Sequence, residues 1–136
     1  MTALTVDRPT PERSGDTRGI PAAAGAVLHA GAMGAINAAG TAVPMSTALN
    51  LKGVGRVEKP VDNTSGAAGD LVAEIRRGVF RFNNSASTDA ITQADIGSDC
   101  YGVDDQTVAK TNGTNTRSVA GKVFDVDTQG VWVQFF

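Results

Sequence analysis

The sequence predicts an all-β domain, a small β-barrel or sandwich of short strands with one short helical turn and an extended N-terminal arm. Three observations point there. Short runs rich in Val, Ile and Phe alternate with turn-forming Gly, Asn and Asp about every ten residues. The last segment reads as a hairpin: Val119 to Val126, a turn through Asp127-Thr128-Gln129-Gly130, then Val131 to Phe135. The first segment carries almost no large apolar side chains and cannot offset its ordering entropy by burial.

With 136 residues the chain fits one domain. We divide it into an arm over residues 1–19 and a single β-rich domain over residues 20–136. The arm mixes Asp7, Arg8, Glu12, Arg13, Asp16 and Arg18 with Pro9 and Pro11. Fully extended it reaches about 60 Å, against a radius of gyration near 13 Å for the remaining globule, so it can touch a neighbour.

The uncharged stretch Ala22 to Ala42 raises the question of a membrane span. Ala and Gly dominate it, His29 and Asn37 interrupt it, and only Val27, Leu28, Met33 and Ile36 are strongly apolar, so it reads as part of a soluble domain. Gly25, Gly31, Gly34 and Gly40 would each cost about 1 kcal/mol relative to Ala inside a helix. Short strands and turns are expected there instead.

Leu49 to Val57 suits a strand bent or bulged by Gly53 and Gly55, and Pro60 ends it. Asp62-Asn63-Thr64-Ser65-Gly66 is a turn cluster. Leu71 to Ile75 and Val79 to Phe82 flank Arg76-Arg77-Gly78, as in one strand bent at Gly78 or a tight hairpin. Thr92-Gln93-Ala94-Asp95 has the spacing of a capping box, and Gly97 limits it to about one turn. Asn112-Gly113 marks a further turn between Thr107 to Lys110 and Arg117 onward. In the last strand Val131, Val133 and Phe135 share one face, and Trp132 and Gln134 the other.

Composition narrows function. Lys plus Arg total 12 against 14 Asp plus Glu, with no long block of either sign, so nucleic acid is a poor partner. Met1 to Val6 lack the basic start and apolar run of a secretory signal, which places synthesis and folding in a cytoplasm. One cysteine, Cys100, forms no internal disulfide and no Cys-rich metal site. No cofactor is expected.

The candidate chemistry is thin. His29 is the only histidine and has no acidic neighbour in sequence, so a surface role outweighs a nucleophile system. Cys100 reads as a small buried hydrophobe, because no basic residue lies close in sequence to lower its pKa. Asp99, Asp104, Asp105, Asp125 and Asp127 would bind Ca²⁺ if their loops converged, yet their order does not match an EF-hand, and solvated turn formers are the plainer reading. As a glycosidase pair they would need a sugar cleft, and one Trp with one Tyr provides little stacking surface. Arg76 and Arg77 read as a solvated bend or as a contact for acidic groups on a partner, which Arg engages bidentately.

Several segments carry a resemblance. They are Asp62-Asn63-Thr64, Gly69-Asp70-Leu71-Val72, Gly78-Val79-Phe80, Ala94-Asp95-Ile96-Gly97, Cys100-Tyr101, Asp104-Asp105-Gln106-Thr107-Val108, Ala120-Gly121-Lys122-Val123 and Gly130-Val131-Trp132-Val133. In this order the chain resembles the capsid decoration, or cement, proteins of tailed bacteriophages, over roughly residues 43 to 136 and most specifically from Ala94 onward. The resemblance implies a virion structural protein without enzymatic activity, bound to the outer surface of the major capsid protein lattice after assembly in the host cytoplasm. It further implies a homotrimer as the bound form, and a role in stabilising the head. The candidate capsid or subunit contacts are Arg8, Arg13 and Arg18 in the arm, Arg76 and Arg77 at the bend, and Trp132 and Phe135 on opposite faces of the last strand. The alternatives are a head fibre or tail-associated adhesin, a small hydrolase built on the Asp residues and His29, and a binding module with a small ligand inside a barrel.

Overall fold

In the computed structural model, which describes residues 2–136, the strands fall into two groups that meet at Arg77. The first group is β1 (Thr17–Pro21), β2 (Val27–Leu28), β3 (Met33–Ile36), β4 (Ala42–Pro44), β5 (Lys52–Val57), β6 (Val61–Asp62) and β7 (Val72–Arg76). The second is β8 (Gly78–Asn84), β9 (Asp99–Asp104), β10 (Thr107–Ala109), β11 (Val119–Asp127) and β12 (Gly130–Phe135). The protein is all-β, as the sequence predicts, with two 3-10 turns, Ser87–Asp89 and Gln93–Asp95, as its helical elements among the described residues.

The first group forms an open antiparallel sheet in the order β1-β7-β5-β3-β4, with β2 and β6 paired as a separate two-stranded ribbon. The second group closes into a barrel in the order β10-β8-β12-β11-β9. Closure depends on one parallel pair, Thr107 and Val108 against Asn83 and Asn84, while the other pairings are antiparallel.

Gly78 is where one architecture hands over to the other. Its φ of 145° suits a residue without Cβ, and it turns the chain from the sheet into the barrel. The segment is therefore a bent crossing and not a hairpin: β7 pairs with β1 and β5, whereas β8 pairs with β12 and β10. The break at Gly53 and Gly55 is a bulge in β5, where register against β3 shifts between Gly34 and Ala35.

Each group has its own core. Phe82, Cys100, Val108, Val123, Val131, Val133 and Phe135 fill the barrel, joined by Met33, Ala35 and Met45 from the first group. Phe135 meets Phe82 edge-on at 6.0 Å between ring centroids. Burying each such side chain contributes about 1.5–3 kcal/mol. The second core lies between the open sheet and the β2-β6 ribbon and is built from Ile20, Leu28, Val57, Val61 and Ile75 with several alanines.

The halves touch closely. A Cβ at Gly53 would lie 2.0 Å from the carbonyl oxygen of Ala120, so only Gly lets these backbones meet. Ser118 fixes the same junction, donating its hydroxyl to Ala48 O at 2.6 Å and accepting from Leu51 N at 3.0 Å.

Three boundaries differ from the sequence reading. Thr17, Arg18 and Gly19, assigned to the arm, belong to β1, because their backbones pair with Arg76, Ile75 and Glu74. The strand opening at Leu49 begins at Lys52. The expected turn at Thr92–Asp95 is present, with Asp95 Oδ2 accepting from Thr92 N at 2.8 Å, but Ser87–Asp89 adds a second one.

Candidate interaction surface

The arm and its root come first. Residues 2–17 are all exposed, Arg8 and Arg13 among them, and the segment makes few hydrogen bonds to the body. One is from Arg77 N to Asp16 O at 2.9 Å. Arg18 anchors the root, donating from its guanidinium to Phe136 O at 2.6 Å.

Beside the root, Arg76 stands opposite both Thr17 and Arg56 in the sheet. Like charges facing each other across strands are unfavourable, so this pair draws in acid. Glu58 supplies it for Arg56, at 2.9 Å, and Arg56 also lies over the Phe80 ring at 4.4 Å. Arg76 and Arg77 are exposed and have no ion-pair partner among the described residues. Arg18 and Arg76 lie in paired strands but on opposite faces of the sheet, since Arg18 stands opposite Ile75, while Arg8 and Arg13 lie further out in the arm.

Trp132 forms a separate station. It is half-buried on the outer face of β12; its Nε1 donates to Asp127 Oδ2 at 2.9 Å, and the Arg81 guanidinium lies 5.6 Å from its ring centre. The Trp132 hydrogen bond, with those from Gln129 N and Gly130 N, holds the Asp127 carboxyl below its ordinary pKa. Phe135 leaves the contact set: it is 3% exposed, buried against Phe80 and Phe82, because strand alternation turns it inward with Val131 and Val133.

A third feature was missed from the sequence. Between β5, β11 and β12 runs an apolar groove of ≈ 450 Å³, with Leu51, Gly53, Val119 and Phe136 along it and Lys52 and Lys122 at its rim. Val119 is 40% and Phe136 91% exposed. The signal was present in Phe135-Phe136: neighbours in an extended strand face opposite ways, so one aromatic had to remain outside.

The remaining candidates disperse. Among the described residues no group of three or more His, Cys, Asp or Glu side chains is placed to hold a metal. The acids work locally: Asp99 pairs with Lys122 at 3.0 Å, Asp104 accepts from Gln106 N, and Asp125 accepts from Val126 N. His29 is exposed. Cys100 is buried and donates to Gly121 O at 3.4 Å, and burial pushes its thiol up to about 11. The barrel interior is filled with side chains.

The chain matches no protein-family model, no curated protein and no solved structure.

Proposed function

We propose that this protein is a capsid decoration, or cement, protein of a tailed bacteriophage, which binds the outer surface of the major capsid protein lattice and stabilises the head. The observation that carries this reading is the arm: fifteen or so residues, all exposed, with almost no work inside their own domain. A segment of this kind loses conformational entropy when it orders, and burial against a neighbour offsets that loss. The segments that resemble decoration proteins support the same reading, since they span both the bend at Gly78 and the whole barrel.

The physical task fits the surfaces. A cement joins neighbouring capsomers through specific interfaces of roughly 1,000 Å² or more. Arg8, Arg13, Arg18, Arg76 and Arg77 present guanidinium forks to carboxylates on the shell. Trp132, stiffened by Asp127 and Arg81, adds a preordered aromatic contact. As a homotrimer the protein repeats these contacts about one axis, and the second and third become effectively intramolecular. The reading includes no catalysis, and the destination of the protein is the virion, reached from the host cytoplasm.

The arm gives the test. Because Thr17–Gly19 pair in β1, the deletion must stop before Thr17. Particles carrying protein without residues 2–14 are expected to shed it on heating and lose resistance to heat, while the shortened protein keeps its own unfolding midpoint. Unchanged retention and heat resistance would remove the reading's main support.

A further inference from the structure

The open sheet and the barrel share one plan. Taken in chain order, β1, β3, β4, β5 and β7 correspond to β8, β9, β10, β11 and β12, and both sets lie side by side in the same order: first, fifth, fourth, second, third. In both, the third strand runs parallel to the end of the first. Val108 pairs with Asn84 in the barrel, and Ala42 bridges Ala22, just after β1, in the sheet.

The registers agree residue by residue. Gly34 faces Gly55 and Ala35 faces Gly53, which skips Val54; Cys100 faces Gly121 and Tyr101 faces Val119, which skips Ala120. Both bulges therefore sit at the same place in the fourth strand. A single sequence offset carries Gly34, Ala35, Ala42, Gly53 and Gly55 onto Cys100, Tyr101, Val108, Val119 and Gly121. That offset also carries the bonds from Gly31 N to Val57 O and from Val57 N to Ala32 O onto those from Gly97 N to Val123 O and from Val123 N to Ser98 O. Gly31 and Gly97 share a positive φ, 84° and 90°.

Close packing repeats as well. A Cβ at Gly55 would strike Arg76 O and one at Gly121 would strike Gln134 O, and Arg76 and Gln134 are counterparts because they face Arg56 and Lys122. The sequence keeps a short trace: Val54-Gly55-Arg56-Val57 returns as Ala120-Gly121-Lys122-Val123. The offset changes only in the connections, where the first set adds β6 and the second adds the turn Ser87–Asp89.

We infer that residues 17–76 and 78–136 are two copies of one five-stranded unit, so that this single chain is a fused pair and the junction between its halves is the contact of one copy with the other. Strand order alone is open to chance; order, register, bulge and turn bonds together mark a unit used twice. Counterpart bulges meet at the junction, Gly53 against Ala120 O, as in the self-facing contacts of twofold dimers. The crossings match too. β7 passes to β8 through Arg77, and the end of β12 lies beside the root of β1, with Arg18 bonded to Phe136 O at 2.6 Å. Against the shared scaffold, two features belong to one copy only: the arm precedes β1, and Trp132 with Arg81 stands where the first copy has Glu74 with Gly19. The inference does not rest on the decoration reading and is tested without a shell.

A circular permutant gives the direct experiment. Phe136 is joined to Gly15 by a short Gly-Ser linker, residues 1–14 are left out, and the chain is opened between Arg77 and Gly78, so that the second copy comes first. The permutant is expected to unfold in one urea transition, with a midpoint close to that of the linear chain lacking residues 2–14, and to keep buried Cys100 unlabelled by iodoacetamide. Labelling as fast as in urea-unfolded protein would overturn the inference. Two measurements on the unpermuted full-length chain decide it independently. Cross-strand NMR contacts are expected at both closures, Ala22 with Ala42 and Asn84 with Val108, and their absence at the first would overturn the equivalence. Gly55→Ala and Gly121→Ala are expected to lower the urea midpoint alike; an unchanged midpoint at either position would overturn it as well.

Discussion

Residues 78–136 close their strands into a barrel, whereas residues 17–76 leave theirs as an open sheet with β1 and β4 at its margins. The barrel presents no free strand edge, and its core is made of Val and Phe with Cys100 at its centre. The sheet keeps an edge at β1, fills its core with Ala22, Ala26, Ala32, Ala42 and Ala73 around a few larger residues, and leads directly into the arm. Larger side chains bury more apolar area per residue, so the larger losses on truncation are expected in the barrel core. The sheet holds the features that reach outward. The arm and the larger side chains of the core thus lie in different halves, with Gly53 and Ser118 binding the two together.

The division makes predictions of decreasing size. Phe135→Ala removes the ring that links Phe80 and Phe82 and is expected to cost about 3–5 kcal/mol, read from urea unfolding. A loss below that of an alanine substitution at Ile75 in the second core would reverse the ranking of the two halves. Gly53→Ala forces a methyl against the Ala120 carbonyl and is expected to cost about 1–3 kcal/mol, with Ser118 hydrogen bonds disturbed. If the two halves then unfold in separate transitions, the junction is what makes the domain one cooperative unit.

Trp132→Ala is a smaller perturbation to the fold, about 1 kcal/mol, because the side chain is half outside the barrel and loses one hydrogen bond and one cation–π contact. Its effect is expected in self-association or shell binding instead. Unchanged sedimentation and unchanged shell binding at equal stability would remove Trp132 from the contact surface. Cys100 sharpens the contrast without any substitution: its pKa near 11 and its burial should keep it unlabelled by iodoacetamide at pH 8, so labelling reports opening of the barrel. Fast labelling of native protein would show that the barrel is the looser half.

The smallest expected effect is acid lability. Asp62, Asp89, Asp95 and Asp127 all have lowered pKa values: Asp62 and Asp89 chiefly through the hydroxyls of Thr64 and Thr111, Asp95 through Thr92 N, Asp127 through Trp132. A carboxyl lowered in the fold contributes stability above its ordinary value of 3.8 and loses it as pH falls through the lowered one. Unfolding midpoints are therefore expected to hold steady above about pH 5 and decline below pH 4, only slightly, since none of these groups is fully buried.

Much of this fold is legible in the sequence where local chemistry decides. Asp62 to Gly66 and Asp127 to Gly130 announce turns because Asp oxygens accept from backbone N–H two residues on, as Asp62 does from Thr64 and Asp127 from Gln129. Thr92 to Asp95 reads correctly because the capping box is local. The alternation of Val131, Val133 and Phe135 is equally plain, but which face is inside follows only from barrel closure, a matter of the distant pair β8 and β10. Thr17 to Gly19 look like arm because their strand is held by backbone pairing with β7, and only Ile20 of the local sequence shows burial. The groove escapes for the same reason: Leu51, Val119 and Phe136 are distant in sequence and meet only after the halves dock.

The central claim is that the protein lends surface to a larger lattice, and co-sedimentation with capsid shells tests it most directly. If the proposed reading holds, the purified protein is expected to pellet saturably with expanded shells of a tailed phage and to remain in the supernatant with unexpanded ones. Equal recovery in the supernatant with and without expanded shells would contradict the account.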